Sequence, residues 1–136
     1  MIRVEEHNNF YNIPVNKIVW NELVSSSKGS TIFQSFEWLS CYNQIYVKDN
    51  STILLFAFKN EKLIGIAPLQ KIRISHFKLI VQKKIIFLGE VFSDYCDFIL
   101  KPEYAPEIIS SFFEYLQNRY SKYSGIDLRD VPQDSL

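Results

Sequence analysis

A polar string between two apolar runs contains the residues of this chain that are best suited to chemistry. In the stretch IIFLGEVFSDYCDFIL, residues 85–100, one carboxylate precedes Tyr95 and one follows it, Asp94 and Asp97. Acidic residues are uncommon in strands, because their burial costs solvation free energy and they pack poorly on a pleated surface. Asp97 is therefore a candidate general base, or a group that orients a substrate amine or hydroxyl. Asp94 and Tyr95 are candidate substrate contacts beside it.

The same string also has a structural interpretation. Ser93 and Asp94 can close a turn through hydrogen bonds from side chain to backbone, and Asp97 can pair with a basic neighbour. If a strand begins at Tyr95, then Tyr95 and Asp97 point to one face of the sheet, while Asp94 and Cys96 point to the other.

A second string, FQSFEW at residues 33–38, precedes a segment with helical periodicity. Its simplest interpretation is a helix capped by Ser35, with Glu37 in the first turn and the aromatic residues in the core. Under the functional interpretation, Gln34, Glu37 and Trp38 form one wall of a substrate cleft.

Several catalytic and cofactor-binding motifs are absent from the sequence. No two glycines share a loop, which excludes a P-loop and a dinucleotide-binding fingerprint. His7 and His76 lie in unrelated segments away from the cysteines, so no zinc cluster and no metal cofactor is predicted. No serine occupies a Gly-x-Ser-x-Gly elbow, and no Cys–His pairing is indicated.

The charge balance bears on partners and on location. Fifteen basic residues offset fifteen acidic ones, which argues against a nucleic-acid partner, because such proteins carry an excess of Lys and Arg. The one basic cluster, residues 71–84, is interpreted as the solvated part of a strand, with an anion-binding surface as the alternative. No run of about eighteen apolar residues predicts a membrane span, and the first residues lack the apolar core of a signal peptide. With only two cysteines, a cytoplasmic location is expected.

Alternation and helical periodicity predict the order strand, helix, helix, four strands, helix and strand. Asn16 and Ser35 are suited to cap the first two helices, and Pro68 marks a bulge or an edge because it has no N–H for a ladder. Two of the strands are expected to form a hairpin around Gly89. The predicted elements are a strand within 1–15, helices 17–27 and 36–47, strands 52–58, 63–74, 84–88 and 95–100, a helix from 102–106 to about 120, and a strand 124–131.

This order favours an α+β fold, an α/β sandwich in which helices cover the faces of a sheet, and not a doubly wound nucleotide-binding fold. The length of 136 residues fits a single domain, residues 1–136. No internal repeat or linker interrupts it.

Five segments together resemble the N-terminal half of the CelD/BcsL-type acetyltransferase-like proteins, relatives of the FemAB-like tandem GNAT fold. The Phe-Leu-Gly and Ser-Asp-Tyr-x-Asp string is the most specific of them, and the resemblance covers nearly all of the chain from Trp20 onward. The segments are Trp20 with Leu23, FQSFEWLSCY at 33–42, LIGIAPLQK at 63–71, IIFLGEVFSDYCDFI at 85–99 and IDLRDVPQDS at 126–135.

The resemblance implies a GNAT-like, mostly antiparallel mixed sheet flanked by helices. It also implies an acyl-CoA-dependent N-acyltransferase linked to polysaccharide or cell-envelope assembly. In such proteins a second, catalytic-type half follows the equivalent of Ser135, so the chain is expected to be an incomplete tandem. Its expected partner is the missing C-terminal half or a second copy of itself. GNAT enzymes hold CoA on an Arg/Gln-x-x-Gly-x-Gly/Ala loop, whereas residues 100–106 contain no glycine and two prolines, which have no N–H for a phosphate.

Three hypotheses follow. In the first, the chain is the substrate-side, non-cofactor half of an N-acyltransferase and is inactive alone, with Asp97 as catalytic residue and Asp94, Tyr95, Gln34 and Trp38 as substrate contacts. In the second, it is a non-catalytic interaction module that dimerises or docks a partner through exposed aromatic residues, which eleven Phe, eight Tyr and two Trp suggest. In the third, it is a complete small enzyme, which requires a closed pocket around Asp97.

Overall fold

A six-stranded sheet forms the centre of the molecule, in a computed structural model that describes residues 1–129. Its strands are β1 (Arg3–His7), β2 (Thr52–Lys59), β3 (Lys62–His76), β4 (Ile80–Phe87), β5 (Ile99–Leu100) and β6 (Gly125–Ile126). The strand order is β1-β2-β3-β4-β6, and β5 pairs with β3 beyond the end of β4. Every pairing is antiparallel except that of β4 with β6, which is parallel. The predicted order of strands and helices is confirmed.

Three α-helices begin where the sequence predicted them. They are α1 (Lys17–Ser26), α2 (Phe36–Tyr46) and α3 (Ala105–Arg119), and two 3₁₀ turns (Ile32–Gln34 and Pro102–Tyr104) precede α2 and α3. The Asn16 side chain accepts a hydrogen bond from the Val19 N–H at 2.9 Å, and the Ser35 hydroxyl accepts one from the Trp38 N–H at 3.2 Å. Both predicted N-caps are therefore confirmed.

Helices cover both faces of the sheet, because β2 carries apolar side chains on each face. Ile53 and Leu55 belong to one buried cluster, which includes α3, while Leu54 and Phe56 belong to a second cluster with α1 and α2. This arrangement confirms the predicted sandwich, in which helices cover the faces of the sheet, since successive side chains of a strand point to opposite sides.

The predicted hairpin around Gly89 is wrong. β4 and β5 both pair with β3 and do not pair with each other: Leu69 lies opposite Phe87, and Gly65 lies opposite Leu100. Residues 89–98, hereafter the 89–98 loop, leave the sheet between these two pairings. The predicted strand 95–100 is therefore reduced to its last two residues.

Pro68 explains where the 89–98 loop leaves the sheet. Its carbonyl accepts a hydrogen bond from the Leu88 N–H at 3.0 Å, one residue beyond the end of β4. Because proline has no N–H, Pro68 cannot donate the second hydrogen bond of a ladder to the strand beside it. The regular pairing of β3 with β4 ends beside this residue.

The predicted bulge is not at Pro68, which pairs in register with Leu54 of β2, whereas the register shift between β2 and β3 falls between Ala57 and Phe58. Pro68 has edge character only on the side of the 89–98 loop, between the pairings of β3 with β4 and with β5.

The last strand is shorter than predicted. Among residues 124–129, the described part of the predicted strand 124–131, Gly125–Ile126 alone form a strand, paired with Lys84 and Ile85 of β4. Residues 130 and 131 of that prediction lie outside the described residues.

Candidate functional site

A cleft of about 330 Å³ opens where β5 leads into α3, next to the carboxyl end of α1. The strand supplies its floor, α3 supplies one wall, and the segment after α1 supplies the other. The lining combines an apolar surface with one carboxylate, one hydroxyl and one ammonium group. The residues that line it are Ser27, Lys28, Asp97, Phe98, Leu100, Pro102, Ala105, Pro106 and Ile109.

Asp97 is the buried carboxylate of this cleft. Its side chain is 6% exposed, and its Oδ1 accepts a hydrogen bond from the Phe98 N–H at 2.8 Å. The prediction that Tyr95 and Asp97 share a strand face is wrong, because residues 95–98 are not in a strand. Tyr95 is 50% exposed and Asp94 is also exposed, so these two candidates lie at the surface of the loop.

Ser27 holds the floor of the cleft in place. Its hydroxyl donates to the Leu100 carbonyl at 2.7 Å and accepts from the Leu100 N–H at 2.6 Å. Leu100 is 3% exposed, so both of its backbone groups need partners inside the protein. Sequence reasoning missed this residue, because nothing in the sequence pairs residue 27 with residue 100.

Replacing Ser27 by alanine is expected to lower the free energy of unfolding by about 2–4 kcal/mol. The change leaves the N–H and the C=O of Leu100 buried without this hydroxyl, and each unsatisfied group costs roughly 1–3 kcal/mol. Urea denaturation followed by circular dichroism measures the loss. Ser25→Ala is the matched control: that hydroxyl is exposed and bonds only the Asn21 carbonyl of its own helix, so a change within about 0.5 kcal/mol is expected. Equal losses in the two variants would contradict the role of Ser27.

The two strings singled out in the sequence meet in space. The Trp38 Nε1–H donates to the Ser93 hydroxyl at 3.1 Å, which ties the first turn of α2 to the 89–98 loop. Gly89 has φ +84, and a Cβ there would lie 3.2 Å from the Ser93 hydroxyl oxygen. Glycine is the residue that tolerates this backbone conformation at little cost. Trp38 thus contacts the segment that carries the other candidates, although its part in substrate binding stays a prediction.

Gln34 is buried, and its side-chain oxygen is engaged in the turn before α2. Its side chain is 2% exposed, and its Oε1 accepts from the Thr31 N–H at 2.6 Å and from the Thr31 hydroxyl at 2.8 Å. These bonds form a capping box at the 3₁₀ turn before α2. The Gln34 carbonyl also accepts from the Trp20 Nε1–H at 2.9 Å. Its predicted role as a substrate contact stays a prediction.

An aromatic cluster lies beside the 89–98 loop. The rings of Tyr46 and Phe92 lie 4.9 Å apart, and Tyr42 packs against both. Tyr46 is 58% exposed and Phe92 is 54% exposed, whereas Tyr42 is buried. Burial raises the pKa of Tyr42, so its hydroxyl stays protonated at neutral pH.

The start of α3, at the rim of the cleft, has few free backbone donors. Pro102 and Pro106 have no N–H. The Tyr104 N–H donates to a preceding carbonyl at 3.0 Å, and the Ala105 N–H donates to the Pro102 carbonyl. The donors that usually make a helix N-terminus attractive to anions are therefore largely missing here.

Comparisons with known proteins bear on the fold. No family model and no curated protein matches the chain. Among solved structures, a predicted acetyltransferase with acetyl-CoA from Clostridium acetobutylicum is similar at 13% identity and a TM-score of 0.54, over 98% of this chain and 84% of that chain. The chain has a GNAT-like fold.

Two further structures are similar over nearly the whole chain. A ribosomal-protein-alanine N-acetyltransferase from Brucella melitensis biovar Abortus 2308 is 10% identical, with a TM-score of 0.50, over 98% of this chain and 81% of that chain. A transcriptional regulator from Bacillus halodurans C-125 is 10% identical, with a TM-score of 0.54, over 98% of this chain and 84% of that chain. The predicted GNAT-like sheet with flanking helices is confirmed. The CelD/BcsL-type tandem assignment stays a prediction, because identities this low establish the fold alone.

The residues at the start of α3 do not fit the diphosphate of CoA. A diphosphate at a helix N-terminus needs free N–H groups and a positive potential. Here two prolines and two engaged amides remove donors, and Glu103 and Glu107 add carboxylates next to them. The ammonium of Lys59 lies 3.5 Å from Glu107, so it is paired with that carboxylate. No reaction step through CoA is therefore assigned to these residues.

Within residues 1–129, no helix has the length and apolar character needed to cross a membrane. Nor do any three His, Cys, Asp or Glu side chains of these residues come together in a group that could hold a metal ion.

Proposed function

We propose that this chain is the substrate-side, non-cofactor domain of an acyl-CoA-dependent N-acyltransferase of polysaccharide or cell-envelope biosynthesis. The observation that carries the proposal is a buried carboxylate, Asp97, in a cleft at the β5–α3 junction of a GNAT-like fold, beside a helix start that does not fit CoA. The acceptor amine binds in this cleft, and acyl-CoA is held by another domain or chain.

The chemistry of the cleft suits an amine attached to a partly apolar ring. A carboxylate that is 6% exposed attracts an ammonium group strongly, because little water screens the pair. Phe98 and Ile109, which line the cleft, offer apolar contacts to the ring of an amino sugar. Asp97 would hold the acceptor nitrogen and take up a proton from it.

The test of acceptor binding is an amide NMR titration of the isotope-labelled chain with glucosamine and with glucose. The two sugars differ only in the amine at carbon 2. We expect shifts at the cleft for glucosamine and none for glucose, since a charge-assisted hydrogen bond contributes about 1.5–3 kcal/mol. Asp97→Asn is expected to weaken glucosamine binding by about tenfold or more. Asp49→Asn, an exposed acid on the turn before β2, is the matched control and should bind normally.

The test of the cofactor assignment is calorimetric titration of the same chain with acetyl-CoA. No binding is expected up to about 1 mM, the weak end of measurable affinities. Micromolar binding would overturn the assignment of a non-cofactor domain, while equal shifts with both sugars would overturn the acceptor role of Asp97. Asp94→Asn and Tyr95→Phe in the sugar titration decide whether the exposed candidates also contact the acceptor.

Self-association is a second candidate, and the cluster of Tyr46 and Phe92 favours it. Both rings are more than half exposed and stack on each other. Exposed aromatic side chains are enriched at the centres of protein interfaces. Under this alternative the domain dimerises through these rings and binds neither sugar. Light scattering that shows a monomer at NMR concentrations would dismiss it.

A further inference from the structure

The hairpin formed by β3 and β4 extends beyond the core of the protein. The register continues from Ile72 opposite Lys84 to His76 opposite Ile80. None of residues 73–83, all of which the structure describes, belongs to either buried cluster. These residues, hereafter the hairpin tip, are mostly exposed, and at their base Lys83 contacts the segment before β6 through a hydrogen bond from the Ser124 N–H to its carbonyl.

The hairpin tip exposes large apolar side chains at its end. Phe77 is 94% exposed, Leu79 is 90% exposed, Ile80 is 59% exposed and Val81 is 47% exposed. Isolated exposed apolar residues are ordinary on a protein surface, but four of them within five consecutive residues at one turn are a sign of a binding surface.

The turn that presents these side chains is strained for the residues it contains. Phe77 has φ 51 and Lys78 has φ 59, the left-handed region that glycine and asparagine adopt most easily. Other L-residues cost roughly 1–2 kcal/mol there. A more stable turn would thus use other residues, and the sequence instead places an aromatic ring and an ammonium at the most exposed point.

The charge around the hairpin tip has one sign. Residues 62–89 contain six of the fifteen basic residues of the chain and none of the fifteen acidic ones, although the whole chain is neutral. Within residues 1–129, no ion pair to Asp or Glu engages Arg73, Lys78 or Lys83. Arg73 lies directly opposite Lys83 in the ladder, and like charges in this position destabilise a hairpin. An anionic partner would remove that repulsion.

From these observations we infer that the hairpin tip docks the protein onto membrane surfaces that contain anionic phospholipid. Phe77, Leu79 and Ile80 enter the boundary between head groups and acyl chains, while Arg73, Lys78 and Lys83 contact the lipid phosphates. A lipid surface fits better than a nucleic acid, because a phosphate backbone offers no apolar layer for the exposed side chains at the end of the tip. It fits better than an acidic protein, because a bilayer has an apolar layer directly beneath its phosphates, which matches apolar side chains at the end of the tip and cations along its strands.

The test is sedimentation of the full chain with vesicles of phosphatidylcholine alone and with about 30% phosphatidylserine, at a salt concentration near physiological. We expect binding to the anionic vesicles and at least a tenfold weaker binding to the neutral ones. The double variant Arg73→Gln and Lys83→Gln should weaken binding by roughly 30-fold, since each cation near the surface contributes about fivefold. Phe77→Ser with Leu79→Ser should weaken it by about tenfold or more. All four positions lie outside the core, so the variants are expected to fold, which circular dichroism verifies.

Matched controls remove exposed apolar side chains and exposed cations from parts of the surface outside the hairpin tip. Ile18→Ser with Ile45→Ser removes exposed aliphatic side chains from α1 and α2, and Lys48→Gln with Lys122→Gln removes two exposed cations. Both control pairs should sediment like the parent protein. The inference is overturned by no sedimentation with anionic vesicles, by equal binding to neutral vesicles, or by equal losses in the controls. Binding to a DNA duplex that survives Phe77→Ser with Leu79→Ser, without binding to vesicles, would likewise overturn it.

Discussion

Replacing Trp20 by alanine is expected to lower the free energy of unfolding by about 3–5 kcal/mol, as large-to-small substitutions at buried aromatic residues do. Trp20 is 0% exposed, and its ring centroid lies 5.6–5.9 Å from the rings of Phe10, Phe36 and Phe56. These rings join the segment after β1, α1, α2 and β2. Loss of the indole therefore removes packing contacts from both helices that cover this face of the sheet and from β2 beneath them.

The Trp20 indole also makes a hydrogen bond that a second variant separates from packing. Its Nε1–H donates to the Gln34 carbonyl at 2.9 Å. Trp20→Phe keeps most of the ring and removes this donor, so a smaller loss of about 1–3 kcal/mol is expected from the unsatisfied carbonyl. Ile18→Ala, on the exposed face of the same helix, is the control and should change stability by no more than about 0.5 kcal/mol. Urea denaturation measures the free energy of unfolding of all three variants. If Trp20→Ala lost less stability than Trp20→Phe, the neighbouring rings would have repacked into the space of the indole, contrary to the prediction.

The helices were predictable because their signals are local. Asn16 and Ser35 precede apolar stripes at helical spacing, and each side chain bonds an amide within its own first turn. A cap and the stripe it precedes are only a few residues apart, so neither depends on how the sheet is arranged. The same holds for the continuous apolar run of β2, whose composition alone indicates cover on both faces.

Strand pairing was less predictable because it is set by distant residues. The apolar runs on either side of Gly89 are both strands, but periodicity does not specify a partner for either of them. Both pair with β3, and the 89–98 loop leaves the sheet opposite Pro68, twenty or more residues earlier in the chain. The short polar segment between the two strands suggested a hairpin turn. In the structure the two strands lie one after the other along the same side of β3, and the 89–98 loop connects them.

The candidate site was predictable only in part, for the same reason. Asp97 was found because an acidic residue in an apolar run is unusual, and the structure places it in the cleft. Ser27 lies 73 residues from Leu100 in sequence, and only the fold brings its hydroxyl to that backbone. Gln34 and Trp38 were named as candidates beside the simpler interpretation of a capped helix start, and the sequence did not decide between them because a polar residue that caps a turn has the same sequence signature as one that contacts a substrate.

Replacing Gly65 by valine is expected to destabilise the protein by about 3 kcal/mol, at the upper end of the usual cost of overpacking a core. A Cβ at this position of β3 would lie 2.7 Å from the Ile108 Cγ2 of α3 and 3.3 Å from the Leu100 Cδ2 of β5. Ile108 is 0% exposed and packs within the buried cluster of this face, so its side chain yields only by displacing its neighbours. Gly65→Ala should cost less, and Gly125→Ala, where nothing lies within 4 Å, should be nearly neutral. Urea denaturation of the three variants gives the comparison.

The Gly65 variant also tests how the cleft is built. Gly65 allows α3 to lie close to β3, and the first turn of α3 supplies Ala105, Pro106 and Ile109 to the cleft wall. Lifting the helix by the width of a side chain moves that wall away from Asp97 while leaving the carboxylate itself in place. We therefore expect Gly65→Ala to weaken glucosamine binding although no atom that touches the sugar has changed. If the folded Gly65→Ala protein bound glucosamine normally, the Ile108 side chain would have moved without moving α3. The position of the helix, and hence the shape of the cleft, would then not depend on this glycine.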